Sequence, residues 1–421
     1  MSDAPRPLPA PARLALAAYR ERLARRGSSG PITVAWAPGR ANLIGEHTDY
    51  NDGYVLPVAV DRVVAIAGRA RRGSLTRCYS VHHGRYATLA STPAALLGDG
   101  PDTPVAATRQ DPLWPRYIRG VLAELAALPD APLTPAFAAA IAGDVPVGGG
   151  LSSSAALEVA TATFAAALGG PVLPPLELAR LCQRAEHRGT GVRVGIMDQA
   201  ASRLGRPGHA LLLDCRSLAA EYVPVALPGV ALAVFDTAVP HTLATSGYNE
   251  RRAQCEQAVA IFAPVLTGED PNRQVRALRD VTRDDLARHG ALLPEVLLRR
   301  ARHVVTENTR VLAAVEALRA GDSHTLGALL YASHASLRDD YAVSCPELDA
   351  VVEIAATVSG VLGARMMGGG FGGSALILAR EDALAALGMA LALEYPRRVH
   401  RSGTLHICRV GGGPELTLHG G

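Results

Sequence analysis

Residues 146–158, PVGGGLSSSAALE, restrict what this chain can fold into more than any other stretch. Before them, TPAFAAAIAGDV reads as a short apolar strand. After them the chain is rich in alanine and free of Gly and Pro as far as Leu168, as a helix requires. A strand, a glycine loop and a helix N-terminus must therefore follow one another with no spacer. Consecutive glycines let backbone approach a ligand closely, and the first helical turn offers unpaired N–H groups at the positive end of its dipole. That arrangement suits a phosphate, with the hydroxyls of Ser152, Ser153 and Ser154 available for phosphate oxygens or Mg²⁺. A plain glycine turn with a serine cap has the same sequence, so these residues alone leave both readings open.

A second concentration of chemistry lies at residues 39–53, GRANLIGEHTDYNDG, with Arg40, Glu46, His47 and Asp49. Such groups are costly to bury without partners. A solvated surface loop would account for them, and so would a ligand rich in hydroxyl groups. A metal centre of Glu46, His47 and Asp49 is a third reading, although hard-ion and zinc sites need further ligands at suitable spacing. In GIMDQ, residues 195–199, Asp198 stands among apolar neighbours, either as part of a helix start or as a catalytic base. GGGFGG at 368–373 leads into SALILA, which reads as strand; the helix that a dinucleotide fingerprint needs is missing.

The chain contains no lysine, and its 42 Lys-plus-Arg positions are all arginine. That excludes a Walker A loop, a protein-kinase strand lysine and Schiff-base catalysis. A phosphate site must then rely on backbone N–H groups, serine, arginine and metal. The formal charge of +3 comes from arginines interspersed with Asp and Glu, which gives nucleic-acid binding little support. The six cysteines form no C-x-x-C pair, arguing against a zinc site or a disulfide framework and for a reducing cytoplasm. The N-terminus lacks the order of a secretory signal and reads as a Pro-rich tail followed by an amphipathic helix. Later apolar runs are broken well before the roughly 20 residues of a membrane span, so a cytoplasmic chain with no membrane partner is expected.

At 421 residues the chain exceeds what one hydrophobic core usually supports. The expected division is a tail and helix over 1–30, an N-terminal domain over 31–205 and a C-terminal domain over 206–421. ITVAWAP and GYVLPVAVDRVVAIAGRA read as strands on either side of the charged loop, and residues 174–189 as a helix with a Pro-marked start. HALLLDCRSL and GVALAVFDTAV read as further strands, and ARMMGGGFGG as a strand ending in a glycine loop.

Taken together and in order, GRANLIGEHTDYNDG, VPVGGGLSSSAALE, AEH-x7-GIMDQ and MMGGGFGG resemble the galactokinases of the GHMP small-molecule kinase superfamily. WPRYIRGV, SGYNERRAQC and LRDDYAVSCPELD extend the resemblance over nearly all the chain from about residue 32. It implies an α/β (α+β) fold of two domains with the site between them, ATP and Mg²⁺ as partners, and γ-phosphoryl transfer to the C1 hydroxyl of D-galactose. It further implies Asp198 and Arg40 as the catalytic pair, and Glu46, His47, Asp49, Gly195 and Tyr248 around the sugar. Trp114 falls in the adenine region. The phosphate loop comprises Pro146, Gly148, Gly149, Gly150, Leu151, Ser152, Ser153, Ser154, Ala155 and Ala156, and Ser153 or Ser154 with Glu186 forms the metal neighbourhood. The chain departs from the family pattern at Arg193 and Val194, where Pro-Cys is common, and at Pro240, where a basic residue is frequent. Two alternatives stay open: a kinase for N-acetylgalactosamine or arabinose, and a non-catalytic sensor that binds galactose and ATP. The intact GLSSSAA favours an enzyme, and a monomer is expected.

Overall fold

The computed structural model describes residues 7–24, 30–97, 113–239 and 244–420, the side chains of 244–246 excepted. Pro240 and the first six residues of the tail lie outside the described residues. Six strands form the first sheet, in the order Glu415–His419, Ile32–Asn42, Pro57–Ala70, Phe137–Gly143, Leu75–Ser80 and Arg85–Ala90. Every neighbouring pair is antiparallel except Leu75–Ser80 beside Phe137–Gly143, which is parallel. Strands buried on both faces alternate between two cores, as the two-residue period demands. Val34, Trp36, Ala65 and Ala67 meet the N-terminal helix Ala10–Arg22. Ala35, Ala37, Val64 and Ile66 meet the helices Trp114–Ala126, Ser153–Ala167 and Pro175–Thr190 on the other side.

The second sheet orders Val361–Met367, Ser374–Arg380, Val230–Asp236 and Thr404–Cys408, all antiparallel. The same alternation operates here. Leu232, Val234, Leu376 and Leu378 join the first core, while Ala233, Phe235, Ala375 and Ile377 face a second core built with helices Ala244–Glu269, Glu295–Arg319, Pro346–Thr357 and Leu384–Val399. GGGFGG is the connection of the Val361–Met367/Ser374–Arg380 hairpin, with a strand after it as its sequence suggests.

The chain beyond Leu204 returns twice to the first half. His209–Asp214 pairs with Tyr54–Val55 in a small three-stranded sheet, and Glu415–His419 pairs with the first five residues of Ile32–Asn42. A boundary near residue 205 is therefore crossed by hydrogen-bonded strands. Among the described residues no helix is long and apolar enough to cross a membrane.

Candidate active site

Arg40 lies near the end of the strand Ile32–Asn42, just after a register shift between Pro38 and Arg40. Such a bulge re-aims the side chain that follows it. Its backbone N–H leaves the sheet ladder and donates to the Leu151 carbonyl at 3.0 Å, so this part of the strand is tied to the glycine loop. The side chain, 4% exposed, donates from Nε to Asp198 Oδ1 at 2.8 Å and from Nη2 to Oδ2 at 3.0 Å. The remaining amino group, Nη1, donates to the Gly150 carbonyl. Asp198 occupies the first turn of the helix Met197–Leu204 and lines the cavity together with Arg40, being the more open of the two.

The loop before the helix Ser153–Ala167 departs from a simple capped start. Ser152 holds the cap position with a left-handed backbone, φ 54°, and makes no capping bond. Its hydroxyl instead donates to Asp198 Oδ2. Pro146, Gly148, Gly150, Ser152, Ser153 and Ser154 line the cavity, whereas Leu151, Ala155 and Ala156 turn their side chains into the core and could offer a ligand backbone only. Gly149 accepts a hydrogen bond at its carbonyl from Ser374 Oγ, at 2.6 Å.

Ser154 lies against the Glu186 carboxylate as a hydrogen-bonding neighbour. Burial, with the Asp198 charge adding to it, pushes the Glu186 carboxyl up to about 7. Gln199 Nε2 donates to Glu186 Oε2 at 2.6 Å and to Glu158 Oε2 at 3.1 Å. Glu158 is wholly buried, its carboxyl is held well above the usual range by that burial, and its Oε1 has no partner. Ser154 and Glu186 are adjacent oxygen donors in a region short of positive charge, which fits a hard divalent ion such as Mg²⁺. Among the described residues there is no cluster of three His, Cys, Asp or Glu that could hold a metal alone.

Across the cavity, Asp49 and Gly195 meet at van der Waals contact. A Cβ on Gly195 would overlap the Asp49 carboxylate, so no side chain fits there. Burial, then the charge of Asp198, pushes the Asp49 carboxyl up to about 6. The Gly195 N–H donates to the Tyr248 hydroxyl at 3.3 Å. His47 is hydrogen-bonded through Nδ1 to the Tyr50 hydroxyl at 2.8 Å. Its Nε2 has no partner of good hydrogen-bond geometry, although the Gly369 backbone lies beside the ring. Burial, with His303 and Arg251 nearby, holds His47 well below the usual imidazole range, hence neutral.

Glu46 is less free than its expected contact with a sugar suggests. Oε2 takes Asn42 and the Arg365 guanidinium, and Oε1 takes the Gly368 N–H at 2.8 Å. Arg365, itself fully buried, lies between Glu46 and Glu307, and Glu307 in turn accepts from Arg310 Nε at 2.6 Å and from the Gly45 N–H at 3.0 Å. The nearby cations, Arg310 first, hold the Glu307 carboxyl down at about 2 despite its burial. Asn308 accepts from the Tyr54 N–H at 2.9 Å, so one helix, Glu295–Arg319, pins the charged loop from behind. Arg365, Glu307, Asn308, Gln199 and Ser374 were not singled out from sequence, although Gln199 is the last residue of GIMDQ and Ser374 directly follows GGGFGG.

Near Val194 the departure from the family pattern leaves the backbone well anchored: its carbonyl accepts from Gln183 Nε2 at 3.0 Å and lies 2.8 Å from His187 Nε2. Arg40, Glu46, His47, Asp49, Ser154, Glu186, Gly195, Asp198 and Tyr248 all border one cavity of about 600 Å³, lined from both halves of the chain. Its other arm is mainly apolar, with Val64, Ile141, Val145 and Trp114.

Comparison with known proteins places the same regions in one family. The galactokinase galactose-binding signature matches residues 18–70, the GHMP kinases N terminal domain residues 116–206 and the GHMP kinases C terminal domain residues 314–396. The chain is 46% identical to the galactokinase of Chloroflexus aurantiacus over 91% of its length and 93% of that protein's. It is 42% identical to the Homo sapiens galactokinase, over 87% of each. The crystal structure of Lactococcus lactis galactokinase complexed with galactose superposes with a TM-score of 0.83 at 33% identity, over 95% of this chain and 98% of that one. The Methanococcus jannaschii mevalonate kinase, at 17% identity and a TM-score of 0.60 over 92% of this chain and all of that one, shares the fold.

Proposed function

This chain belongs to the galactokinase family of the GHMP kinases, and from that premise we propose that it transfers the γ-phosphoryl group of ATP to the C1 hydroxyl of D-galactose at the Arg40–Asp198 pair. The observation that carries this reading is the double hydrogen bond from the Arg40 fork to Asp198, made while Nη1 of the same guanidinium touches the Gly150 carbonyl. One side chain thus joins the phosphate loop to a carboxylate that is open to the cavity.

Phosphoryl transfer asks the protein mainly for position and for stabilisation of charge. The N–H groups of the phosphate loop and the helix start after it would cradle the phosphates. Asp198, aimed by Arg40 and Ser152, would accept the C1 proton as the new O–P bond forms, and Arg40 would offset charge on the transferring group. An anomeric hydroxyl is more acidic than other sugar alcohols, which eases its deprotonation by a carboxylate. Asp49, the unpartnered Nε2 of His47 and the Tyr248 hydroxyl supply the polar partners for sugar hydroxyls, while Glu46 offers the lone pair that Gly368 leaves on Oε1. Polar groups of this kind reject a sugar that leaves them unpaired more strongly than apolar contact could. Ser154 and Glu186 would hold Mg²⁺, which when bound neutralises phosphate charge. We read the working unit as a monomer.

The test is ADP release with Mg²⁺-ATP and galactose, glucose, N-acetylgalactosamine or arabinose, followed by a reducing-sugar assay of each product. Galactose should be preferred, and its product should have lost reducing power. A product that still reduces, or a clear preference for another sugar, would contradict transfer to C1 of galactose.

A further inference from the structure

The apolar arm of the cavity carries two aromatic walls, of which the sequence pointed to only one. Trp114 begins the helix Trp114–Ala126 and is nearly buried, yet its indole Nε1 has no hydrogen-bond partner. Opposite stands His83, in the turn between the strands Leu75–Ser80 and Arg85–Ala90. The two rings are parallel to within 10°, with centroids 6.5 Å apart. Faces that grip a flat ring between them must stand about 7 Å apart, twice the optimal separation of two carbon atoms. The centroid distance is the most by which the two faces can be separated, so His83, in an exposed turn, moves outward to admit a flat ring between them.

The turn that carries His83 is tied down by its main-chain N–H, which donates to Ser80 Oγ at 3.3 Å, and the His82 ring packs edge-on against the His83 imidazole at 4.9 Å. Leu113 and Val147, also on the cavity wall, are 53% and 61% exposed. Large apolar side chains left open around a deep cavity call for something flat and apolar to cover them, and the unpartnered indole N–H calls for an acceptor on the same ligand.

The geometry points to His83 as the second wall of the nucleobase slot: the adenine of ATP lies between the imidazole of His83 and the indole of Trp114, with Nε1–H of Trp114 donating to an acceptor of the nucleoside. This rests on the reading of the cavity as an ATP site. The imidazole serves by its face, so any flat ring at position 83 suffices. Stacking makes no choice among purines; it sets affinity for nucleotide and leaves the sugar untouched.

Calorimetry with MgADP and, separately, with galactose tests this on the wild type, His83→Ala and His83→Phe, beside KM for ATP and for galactose. His83→Ala should weaken MgADP binding and raise KM for ATP by about tenfold, the loss of one base–aromatic stack. Galactose affinity and kcat should stay unchanged, and His83→Phe should recover most of the nucleotide affinity. Equal MgADP binding by the wild type and His83→Ala would overturn the proposal. So would a His83→Phe variant as weak as His83→Ala, or an equal loss of galactose binding. A wild type that binds galactose but gives no heat with MgADP would overturn the kinase reading, and the slot with it.

Discussion

Asp198 is oriented from two directions, by the Arg40 fork and by the Ser152 hydroxyl, which leaves its cavity side free for a substrate proton. Asp198→Asn keeps shape and part of this bonding but removes the base. It should bind galactose with near-wild-type affinity by calorimetry while ADP release falls by about a hundredfold or more. A variant that kept more than about a tenth of wild-type turnover, a barrier change under about 1.4 kcal/mol, would remove Asp198 from that role. Asp49 makes a different prediction. Its carboxyl rises in the fold from 3.8 to about 6, mainly through burial. Between those values the folded protein holds a proton that the unfolded chain has released, so this group's contribution to stability declines as pH rises through the window and is lowest above it. The unfolding free energy of Asp49→Asn relative to wild type should therefore improve by about 2–3 kcal/mol between pH 4 and pH 7. Urea denaturation of ligand-free protein at the two pH values reads this directly, and a flat difference would contradict the assignment.

At the scale of elements, the charged loop is held by parts distant in the chain. The helix Glu295–Arg319 supplies Glu307 and Asn308, the strand Val361–Met367 supplies Arg365, and the glycine connection after it supplies the Gly368 N–H to Glu46 and, through Ser374, a bond to Gly149. At Gly370, φ is 76° and a Cβ would strike the Val343 carbonyl, so this tight connection needs glycine there. Arg365→Met would leave Glu46 and Glu307 facing each other in the interior without their shared cation. Breaking a buried ionic group in this way typically costs 3–5 kcal/mol, roughly. Urea denaturation should show a loss of about that size, with Arg365→Lys losing less. An unchanged midpoint for Arg365→Met would mean that the two carboxylates do not depend on it.

The whole molecule closes on its own beginning. Glu415–His419 covers the outer side of Ile32–Asn42, the strand whose far end presents Arg40. Removing residues 414–421 would turn a strand buried along its length into an exposed edge, a template for aggregation. The shortened protein should melt at lower temperature and show more aggregate by light scattering, with Arg40-dependent transfer declining alongside. A truncated protein that melts like the full chain would show that this pairing contributes little.

Local pattern was enough for much of this. The strand, glycine loop and helix around residues 146–158 follow from propensity and punctuation acting within a few residues, and the structure has Phe137–Gly143 and Ser153–Ala167 there. The mixed α/β class and the loop position of Glu46, His47 and Asp49 were legible for the same reason, and motif order added the family. What sequence by itself could not decide was who meets whom. Arg40 and Asp198 stand 158 positions apart, and resemblance names both without their fork geometry. A serine cap and a phosphate contact were the two readings open for this loop, but a left-handed backbone turns the Ser152 hydroxyl to Asp198 instead of capping the helix. Arg365 and Glu307 sit in a strand and a helix with no local mark of burial, since a charged residue looks alike on a wet face and in a core. His83 likewise looks like any polar turn residue. Only tertiary packing, which excludes water and sets long-range partners side by side, separates the two cases, because the cost of burying a charge or the gain from stacking a ring depends on neighbours that the local chain does not contain.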